Sequence, residues 1–592
     1  CHKERRLLLE NNPHLTHWVP IAIPLTSWTV RPAPFGNDLF SIAPMVFPLV
    51  MKFYDSLCGF NCPPSHIMGK SRARRKFPQL DEDFKYVQVF YEGSHNDART
   101  ATCIALTAAE EGAAVANYTE MIGTIKDNDD NGKVVGIKCR DNLTNETFDV
   151  RAKSIIFAGG PFTDELREIE DEQFKPAVAA AAGTHIVLPG YYAPNGIGML
   201  DFNTSDGRFL FFLPWQGSVI VGTTDRKGQP VSSPGPPEEE IRWILSEVEK
   251  YLSDDLKVRR ADVLSAWQGW RPLASDPHAP PGAPVSRDHV ISTNPQSGIT
   301  FITGGKWTTY REMAEEVLDT VIKSNPALAN KAKPCQTQTR PLRGGIGYSK
   351  NLPIKLIQKY GVSEDTAKHL ASTYGVNAFD VCELTRPSGK RWPKFGHVLI
   401  ENYPYLDCEV EYACTNEMAV SVKDMLTLRM RLAYLNSEAA KEVAPKVAEL
   451  MGRALGWSKK EKKRQLEEAM EYFNQFGGPM PNKSVLMTLP TKMDIKSIFQ
   501  LFDIDDNGYI DFEEMKSVAK ELGHNFSNDE EAMKAFIKMD SEKNGRVTFD
   551  NFSIWWEKTG KEDALRKKLG DKFAYNFDKA GTGPESRGVA FG

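Results

Sequence analysis

Ile299-Thr300-Phe301-Ile302-Thr303-Gly304-Gly305-Lys306-Trp307-Thr308-Thr309-Tyr310-Arg311-Glu312 reads as a buried strand that runs into two glycines and then into a helix. Met313, Ala314, Val317, Leu318 and Val321 follow at helical spacing and form the expected buried stripe, while Thr309 and Glu312 stand at capping-box spacing. Glycines ahead of a helix let a ligand approach the backbone, and the unsatisfied N–H groups of a first turn favour an anion. Such a turn suits a phosphate, or the negative charge that builds on a reduced flavin. An ordinary strand–helix connection has the same sequence. No complete dinucleotide fingerprint is present: Gly196-Ile197-Gly198 and Gly345-Ile346-Gly347 lack the preceding strand and the third glycine.

Working outward, residues 80 to about 330 alternate strands, Gly/Pro turns and helices. Tyr86–Tyr91 is an expected strand, and Asp97–Gly112 an expected helix with Ala98, Ile104, Ala105 and Ala108 on one face. Val134–Cys139 and Thr147–Val150 read as a hairpin, and Ser154–Ala158 as a short strand ending in Gly159-Gly160-Pro161. Thr184–Leu188, Phe209–Leu213 and Val219–Gly222 are further strands, so this part is α/β with a substantial antiparallel sheet. From Leu352 to Gly477 the pattern turns helical, with Ile354, Ile357 and Tyr360, then Ala367, Leu370 and Ala371, at helical spacing.

At 592 residues, 41% of them hydrophobic and 26% charged, the chain is a globular protein of about two to four domains. The domains expected are 1–330, 331–477, an acidic module over 486–560 and a charged tail over 561–592. A net charge of -5 excludes the overall basic balance of a nucleic-acid binder. The apolar runs Trp18–Val30 and Leu39–Met51 are short and carry prolines, so neither is an expected bilayer span. Nine scattered cysteines, Cys58 and Cys62 being the closest pair with Cys408 and Cys414 next, make no disulfide scaffold or zinc site. The chain starts at Cys1, inside what reads as an amphipathic helix, so an upstream segment is expected.

The acidic module carries a twelve-residue calcium loop. Asp503, Asp505 and Asn507 place side-chain oxygens at positions 1, 3 and 5, Gly508 makes the turn, and Tyr509 offers its carbonyl at position 7. Asp511 stands at position 9, and Glu514 supplies the bidentate carboxylate at position 12. A second loop begins at Asp540 with Glu542, Asn544 and Gly545, but its position 12 is Asn551, which cannot be a bidentate carboxylate. It is expected to pair through Val547 with Ile510 and to bind calcium weakly or not at all. Asp127-Asn128-Asp129-Asp130-Asn131-Gly132 imitates the first half of such a loop, yet Lys138 holds position 12 and strands flank it, so it reads as a hairpin turn.

An ordered set of stretches resembles the FAD-dependent glycerol-3-phosphate dehydrogenases. They are Gly93-Ser94-His95-Asn96-Asp97-Ala98-Arg99, Ala158-Gly159-Gly160-Pro161-Phe162-Thr163-Asp164, Gly183-Thr184-His185-Ile186-Val187-Leu188-Pro189 and Phe212-Leu213-Pro214-Trp215. They continue with Gly222-Thr223-Thr224-Asp225, Gly269-Trp270-Arg271-Pro272-Leu273, Ser286-Arg287-Asp288 and Gly304 to Arg311. Gly389-Lys390-Arg391-Trp392-Pro393 and Arg431-Leu432-Ala433-Tyr434-Leu435 are similar to the family's helical cap domain. An EF-hand pair after the cap marks its calcium-responsive mitochondrial branch.

The resemblance implies an α/β and α+β chain. Its first part would have the FAD-dependent oxidoreductase fold (glutathione-reductase-like, of the DAO type) without its N-terminal βαβ unit, followed by a helical cap and an EF-hand pair. It implies oxidation of sn-glycerol 3-phosphate to dihydroxyacetone phosphate, with FAD and Ca2+ as cofactors and a membrane quinone as electron acceptor. It also implies contact with the mitochondrial inner membrane and no nucleic acid, and it admits a homodimer. Arg271 and Arg287 match positions that bind the substrate phosphate, Lys306 the lysine beside the flavin, and His185 the candidate acid/base at the C2 hydroxyl. Gly159, Gly160, Gly304, Gly305, Lys306, Trp307 and Thr308 match the cofactor side, with Gly159 where the family usually has Thr. His185 also reads as a core histidine on a half-buried strand. With the glycine fingerprint outside these 592 residues, a flavin-free calcium-binding remnant is the second reading. An amino-acid-oxidase-like enzyme is a third, but a carboxylate substrate would need one arginine rather than this cationic group.

Overall fold

The computed structural model describes residues 2–25, 47–57, 61–80, 84, 86–127, 132–171, 173–193, 196–201, 204–233, 235–253, 256–274, 288–478, 499, 502, 503, 505, 507–521 and 526–558. A nine-stranded sheet organises the first half. The strand Val178–Pro189 pairs along one edge with Ser265–Ala274, and along the other with Arg226–Lys227 and Ser218–Gly222. From Ser218–Gly222 the order continues through Leu210–Trp215, Gly198–Asp201, Thr16–Leu25, Tyr86–His95 and His66–Gly69. Among the described residues its one parallel pair is Thr16–Leu25 with Gly198–Asp201.

Alternation gives this sheet two different faces. Ile186, Leu188, Val219, Val221 and Ala266 point to the face covered by the helix Glu238–Glu249, whose Ile241, Ile244, Leu245 and Val248 are fully buried there. On the opposite face Val19, Ile21, Ile23, Phe90 and Leu200 pack under the helix Phe47–Leu57 through Met51. The same face, further along the sheet, carries His185.

A second, three-stranded sheet runs His289–Thr293, Thr300–Gly304, Ile156–Phe157, the last two in parallel, and packs around Phe157, Ile299 and Phe301. Only two residues of the expected Ser154–Ala158 strand pair. The expected hairpin is found as Val134–Asp141 with Thr147–Arg151. Strands Thr119–Lys126 and Val134–Asp141 flank the false calcium loop, whose residues 128–131 lie outside the described residues. The described cysteines are free, and most of them are buried.

The helical region after residue 350 holds two clusters, one around Leu356, Leu370 and Tyr374, the other around Met425, Leu426, Ala440 and Val447. Ala367, Leu370 and Ala371 are buried as expected. The preceding helix buries Leu352 and Leu356, however, and leaves Ile354 exposed.

Two other helices also bury a face that differs from the one expected, for a shared reason. Asp97–Glu110 buries Arg99, Thr100, Cys103 and Leu106, rather than the face of Ala98, Ile104 and Ala105. Tyr310–Ser324 buries Arg311 with Val317 and Val321 and leaves Ala314 and Leu318 exposed. In each helix a buried arginine holds a distant glutamate. Arg311 Nε and Nη2 donate to Glu4 Oε2 and Oε1, both at 2.8 Å. Arg99 Nη1 and Nη2 donate to Glu417 Oε2 and Oε1 at 2.6 and 2.7 Å, with the two side chains 2% and 1% exposed. The Arg99 Nε donates to the Thr373 carbonyl, and its guanidinium lies over the Tyr374 ring.

The Arg99–Glu417 fork joins the sheet region to the helical region. Removing one partner strands a buried charge, so Arg99→Ala is expected to cost about 3–5 kcal/mol of unfolding free energy in chemical denaturation. Joint replacement of both residues by leucine should cost much less. A loss below about 1 kcal/mol for the single variant, the value of an exposed pair, would contradict this.

The EF-hand module has its own core of Phe499, Phe502, Met515, Phe536, Phe552 and Trp555. Ile510 pairs with Val547 across the two loops, as expected. The entering helix expected over 496–502 lies mostly outside the described residues.

Candidate functional site

His185 sits in the middle of Val178–Pro189, with Trp267 directly opposite on one neighbouring strand and Gly222 on the other. Directly opposed residues share a face, so His185, Trp267 and, further along the same two strands, Gly183, Gly269 and Arg271 all project to one side. The His185 and Trp267 rings stack with centroids 6.1 Å apart and planes 17° apart. A Cβ at Gly222 would lie 2.3 Å from His185 Cδ2, so glycine there makes room for the imidazole. Gly183 does the same for Arg271: a Cβ would meet the Arg271 Nη2 at 2.9 Å and the Thr223 hydroxyl at 2.5 Å.

Arg271 is held by its neighbours but not covered. Its Nη1 donates to Asp225 Oδ1 at 3.1 Å and its Nη2 to Thr223 Oγ1 at 3.2 Å, while 37% of the side chain faces solvent. An arginine tethered this way can turn its fork to an incoming dianion. Burial, and after it the positive charge of Arg271, pushes the His185 pKa down to about 4, against smaller upward effects of a Gly183 backbone hydrogen bond and of Asp97. The imidazole is therefore neutral near pH 7 and can accept a proton.

The turn between Thr300–Gly304 and Tyr310–Ser324 supplies the third part. Lys306 and Trp307 are exposed, and Trp307 stacks on His95 at 6.0 Å. The Thr309 hydroxyl donates to the Lys306 carbonyl at 2.9 Å, so the expected capping box is replaced by a tightened turn. Gly304 and Gly305 both have positive φ, and a Cβ would strike Ala274 at 2.8 Å or the Met313 sulfur at 2.6 Å. Packing of strand and helix thus accounts for these two glycines. Gly159 is likewise packed, against Leu166, whereas a Cβ at Gly160 (φ 56°) would meet nothing within 4 Å. The turn Gly160–Phe162 contacts the strands of His185 and Arg271 and the strand Thr300–Gly304. The turns after Gly159 and Gly304 thus lie against the strands that carry His185 and Arg271, Gly304 packing on Ala274 at the end of the Arg271 strand. Arg287 lies outside the described residues.

These residues fit the reactive end of a flavin. Nothing stands within 4 Å of where a Gly160 Cβ would be, which leaves the backbone there open to a ligand, and the first-turn N–H groups after Lys306, with the Lys306 ammonium, suit the negative charge of a reduced flavin. The structure adds residues that the sequence reading passed over. Trp215 lies 5.7 Å from Trp267, and Tyr434 of the helical region meets Trp267 edge-on at 5.1 Å. Asp97 and Arg431 form an ion pair at 2.7 Å beside them. All of these except Trp267 lie inside the quoted family stretches. The usable signal was a charged residue set among aromatic ones, such as Arg431 with Tyr434.

The calcium loop has the shape its ligands require. Carboxylate oxygens of Asp503, Asp505 and Glu514 lie within 4.8 Å of one another. Asp503 accepts the Asn507 and Gly508 N–H groups, Asn507 Oδ1 accepts the Tyr509 N–H, and Glu514 and Asp511 exchange side-chain-to-backbone hydrogen bonds. Gly508 has φ 86°, with open space where a Cβ would stand. In the second loop Asn551 instead accepts the Ser541 hydroxyl. Glu514→Gln is expected to abolish calcium binding by loop one in titration calorimetry while FAD content stays unchanged. Retained stoichiometric binding would move the site elsewhere.

Three families match successive parts of the chain. They are FAD dependent oxidoreductase over residues 39–311, C-terminal domain of alpha-glycerophosphate oxidase over 335–462, and EF-hand domain pair over 492–557. The human protein named mitochondrial glycerol-3-phosphate dehydrogenase is 42% identical over 563 residues, covering 93% of this chain and 75% of its own. A Caenorhabditis elegans protein named probable mitochondrial glycerol-3-phosphate dehydrogenase is 39% identical over 559 residues, covering 93% and 74%. The solved structure of Bacillus halodurans glycerol-3-phosphate dehydrogenase complexed with FAD is similar with TM-score 0.63 and 25% identity, over 81% of this chain and 86% of that one. At this identity over most of its length, the chain belongs to the FAD-dependent mitochondrial glycerol-3-phosphate dehydrogenase family.

Proposed function

We propose that the chain oxidises sn-glycerol 3-phosphate at C2, that electrons pass on to a membrane quinone, and that calcium bound at Asp503–Glu514 modulates turnover. The carrying observation is a neutral histidine and a tethered arginine on one sheet face, beside a lysine-bearing turn. Arg271, together with Arg287, receives the phosphate dianion through charge-assisted hydrogen bonds. His185 takes the proton of the C2 hydroxyl as the C2 hydrogen leaves with its electron pair, and the product is dihydroxyacetone phosphate. Bound FAD supplies the two-electron acceptor for that hydride. Lys306 places a positive charge where negative charge collects on reduction.

A phosphate held by Arg271 also offsets the charge that depresses His185. Substrate binding thereby raises the basicity of the imidazole when it has a proton to accept. Trp267 on one side and Gly222 on the other fix the ring orientation.

An inner-mitochondrial-membrane location and a quinone acceptor are supported by the surface of the helix Phe47–Leu57, where Leu49, Phe53 and Leu57 are 69%, 64% and 54% exposed along one side. The helix Lys70–Lys76 packs through Ala73 on the other face of the sheet and exposes Lys70, Arg72, Arg74 and Arg75, a basic side suited to anionic lipid. No helix among the described residues is long and apolar enough to cross a membrane. We place the domain limits at 1–330, 331–477, 486–560 and 561–592, the first three each having a buried cluster centred within it, with Trp215 and Trp267 packing across the first boundary.

Anaerobic addition of glycerol 3-phosphate to the flavin-loaded protein should bleach the visible flavin bands, and glycerol should not. A chain that takes up no FAD yet binds calcium would be the flavin-free remnant instead.

A further inference from the structure

Arg431 combines three features that a solvated or merely packed arginine does not need together. It has φ 61°, a left-handed conformation rare for a residue with a Cβ. Its side chain is 11% exposed, and its Nε is buried without a hydrogen-bond partner among the described residues. Its Nη1 nevertheless reaches Asp97 Oδ1 at 2.7 Å and Asn96 Oδ1 at 2.9 Å, at the start of the helix Asp97–Glu110. Its guanidinium lies 4.7 Å from the Trp215 ring centroid. Left-handed backbone and a buried unsatisfied nitrogen are both unfavourable, so the contacts that hold Arg431 there must offset them.

Those contacts lead to His185 by two routes. Trp215, under the guanidinium, lies 5.7 Å from Trp267, and Trp267 is the ring on which His185 stacks. Tyr434, one turn after Arg431, closes the other side of Trp267 at 5.1 Å. The second route is electrostatic. Asp97 is near enough to act on both His185 and His95, and Arg431 fixes its carboxylate in place.

We infer that Arg431 is a positioning residue for the oxidation: from the helical domain it clamps Trp215 and Asp97, and so sets the wall against which His185 meets the C2 hydroxyl. This rests on the proposed role of His185. Both polar contacts come from the one Nη1 nitrogen, so what is specific to arginine is the planar guanidinium lying over the Trp215 ring, which a lysine ammonium does not reproduce. Because the contact is with the wall and not with the substrate, its loss should slow the chemical step more than it weakens binding.

The test uses the flavin-loaded enzyme with Arg431→Gln and Arg431→Lys, followed by rapid mixing with glycerol 3-phosphate in the absence of oxygen. Both variants are expected to lower the limiting rate of flavin bleaching about ten-fold or more, with the substrate dissociation constant changed less than about two-fold. Near-UV circular dichroism, which needs no turnover, should show loss of the signal from the Trp215–Trp267 pair in both. Wild-type bleaching rates, full rescue by lysine, weakened binding at an unchanged rate, or an unchanged dichroism spectrum would each overturn the inference. If Arg431→Gln does not fold, Trp215→Leu removes the platform from the other side and must give the same rate loss; a wild-type rate there also overturns it. If the wild-type flavin itself is not bleached, the function proposed above fails, and the dichroism result alone decides the clamp.

Discussion

Replacement of His185 by alanine is expected to lower kcat by about 10²- to 10⁴-fold, the range for loss of a positioned general base. FAD content and substrate affinity should change little. His185→Gln is the sharper variant, because it keeps most of the volume between Trp267 and the Gly222 backbone but cannot take the proton. A glutamine enzyme with wild-type kcat would make His185 a packing residue. The pH dependence follows from burial and from Arg271, which together place the imidazole pKa at about 4 in the free protein. Above that pH the ring is neutral and competent, and below it the ring is protonated and cannot accept. The substrate phosphate loses its second charge below about pH 6 and gives a limb of its own, so the His185 limb of kcat/KM should appear beneath it, near pH 4 and well below the usual histidine range.

The second large effect is expected at Arg271. Arg271→Ala removes a charge-assisted fork from a phosphate dianion, and KM should rise by about 10²- to 10³-fold. Arg271→Lys keeps the charge without the paired donors and should recover only part of this. The same substitution has an independent signature in the pH profile. Because Arg271 pushes the His185 pKa down, its loss lets that pKa rise, and the His185 limb of kcat/KM must move to higher pH while the limb of the free substrate phosphate stays where it is. A KM within two-fold of wild type, or a limb that moves downward, would remove Arg271 from the substrate pocket.

The calcium loop was legible from sequence because its ligands sit at fixed spacing within twelve residues, and Asp503, Asp505 and Glu514 do come together. Strands of the large sheet were legible from their apolar runs. Their register was not, and it is the register that sets Trp267 and Gly222 opposite His185. Helix faces were misread where an arginine is buried. Arg99 and Arg311 break the apolar pattern, and their partners Glu417 and Glu4 lie 318 and 307 residues away in the chain. No local window contains such a pair. For the same reason His185 and Arg271 could be named singly, while the wall of Trp215, Trp267, Tyr434 and Arg431 was not anticipated. It is assembled from three distant segments whose only common property is meeting in space.

The forked bond between Arg99 and Glu417 also limits how this enzyme can move. A hinged lid must part from its partner by small steps, each with little cost. Here the first step away separates two desolvated charges at once. The helical domain is consequently expected to behave as a fixed beam and not as a door. Entry of glycerol 3-phosphate and exit of its ketone are then expected to depend on side-chain and loop motion, and product release should depend little on solvent viscosity.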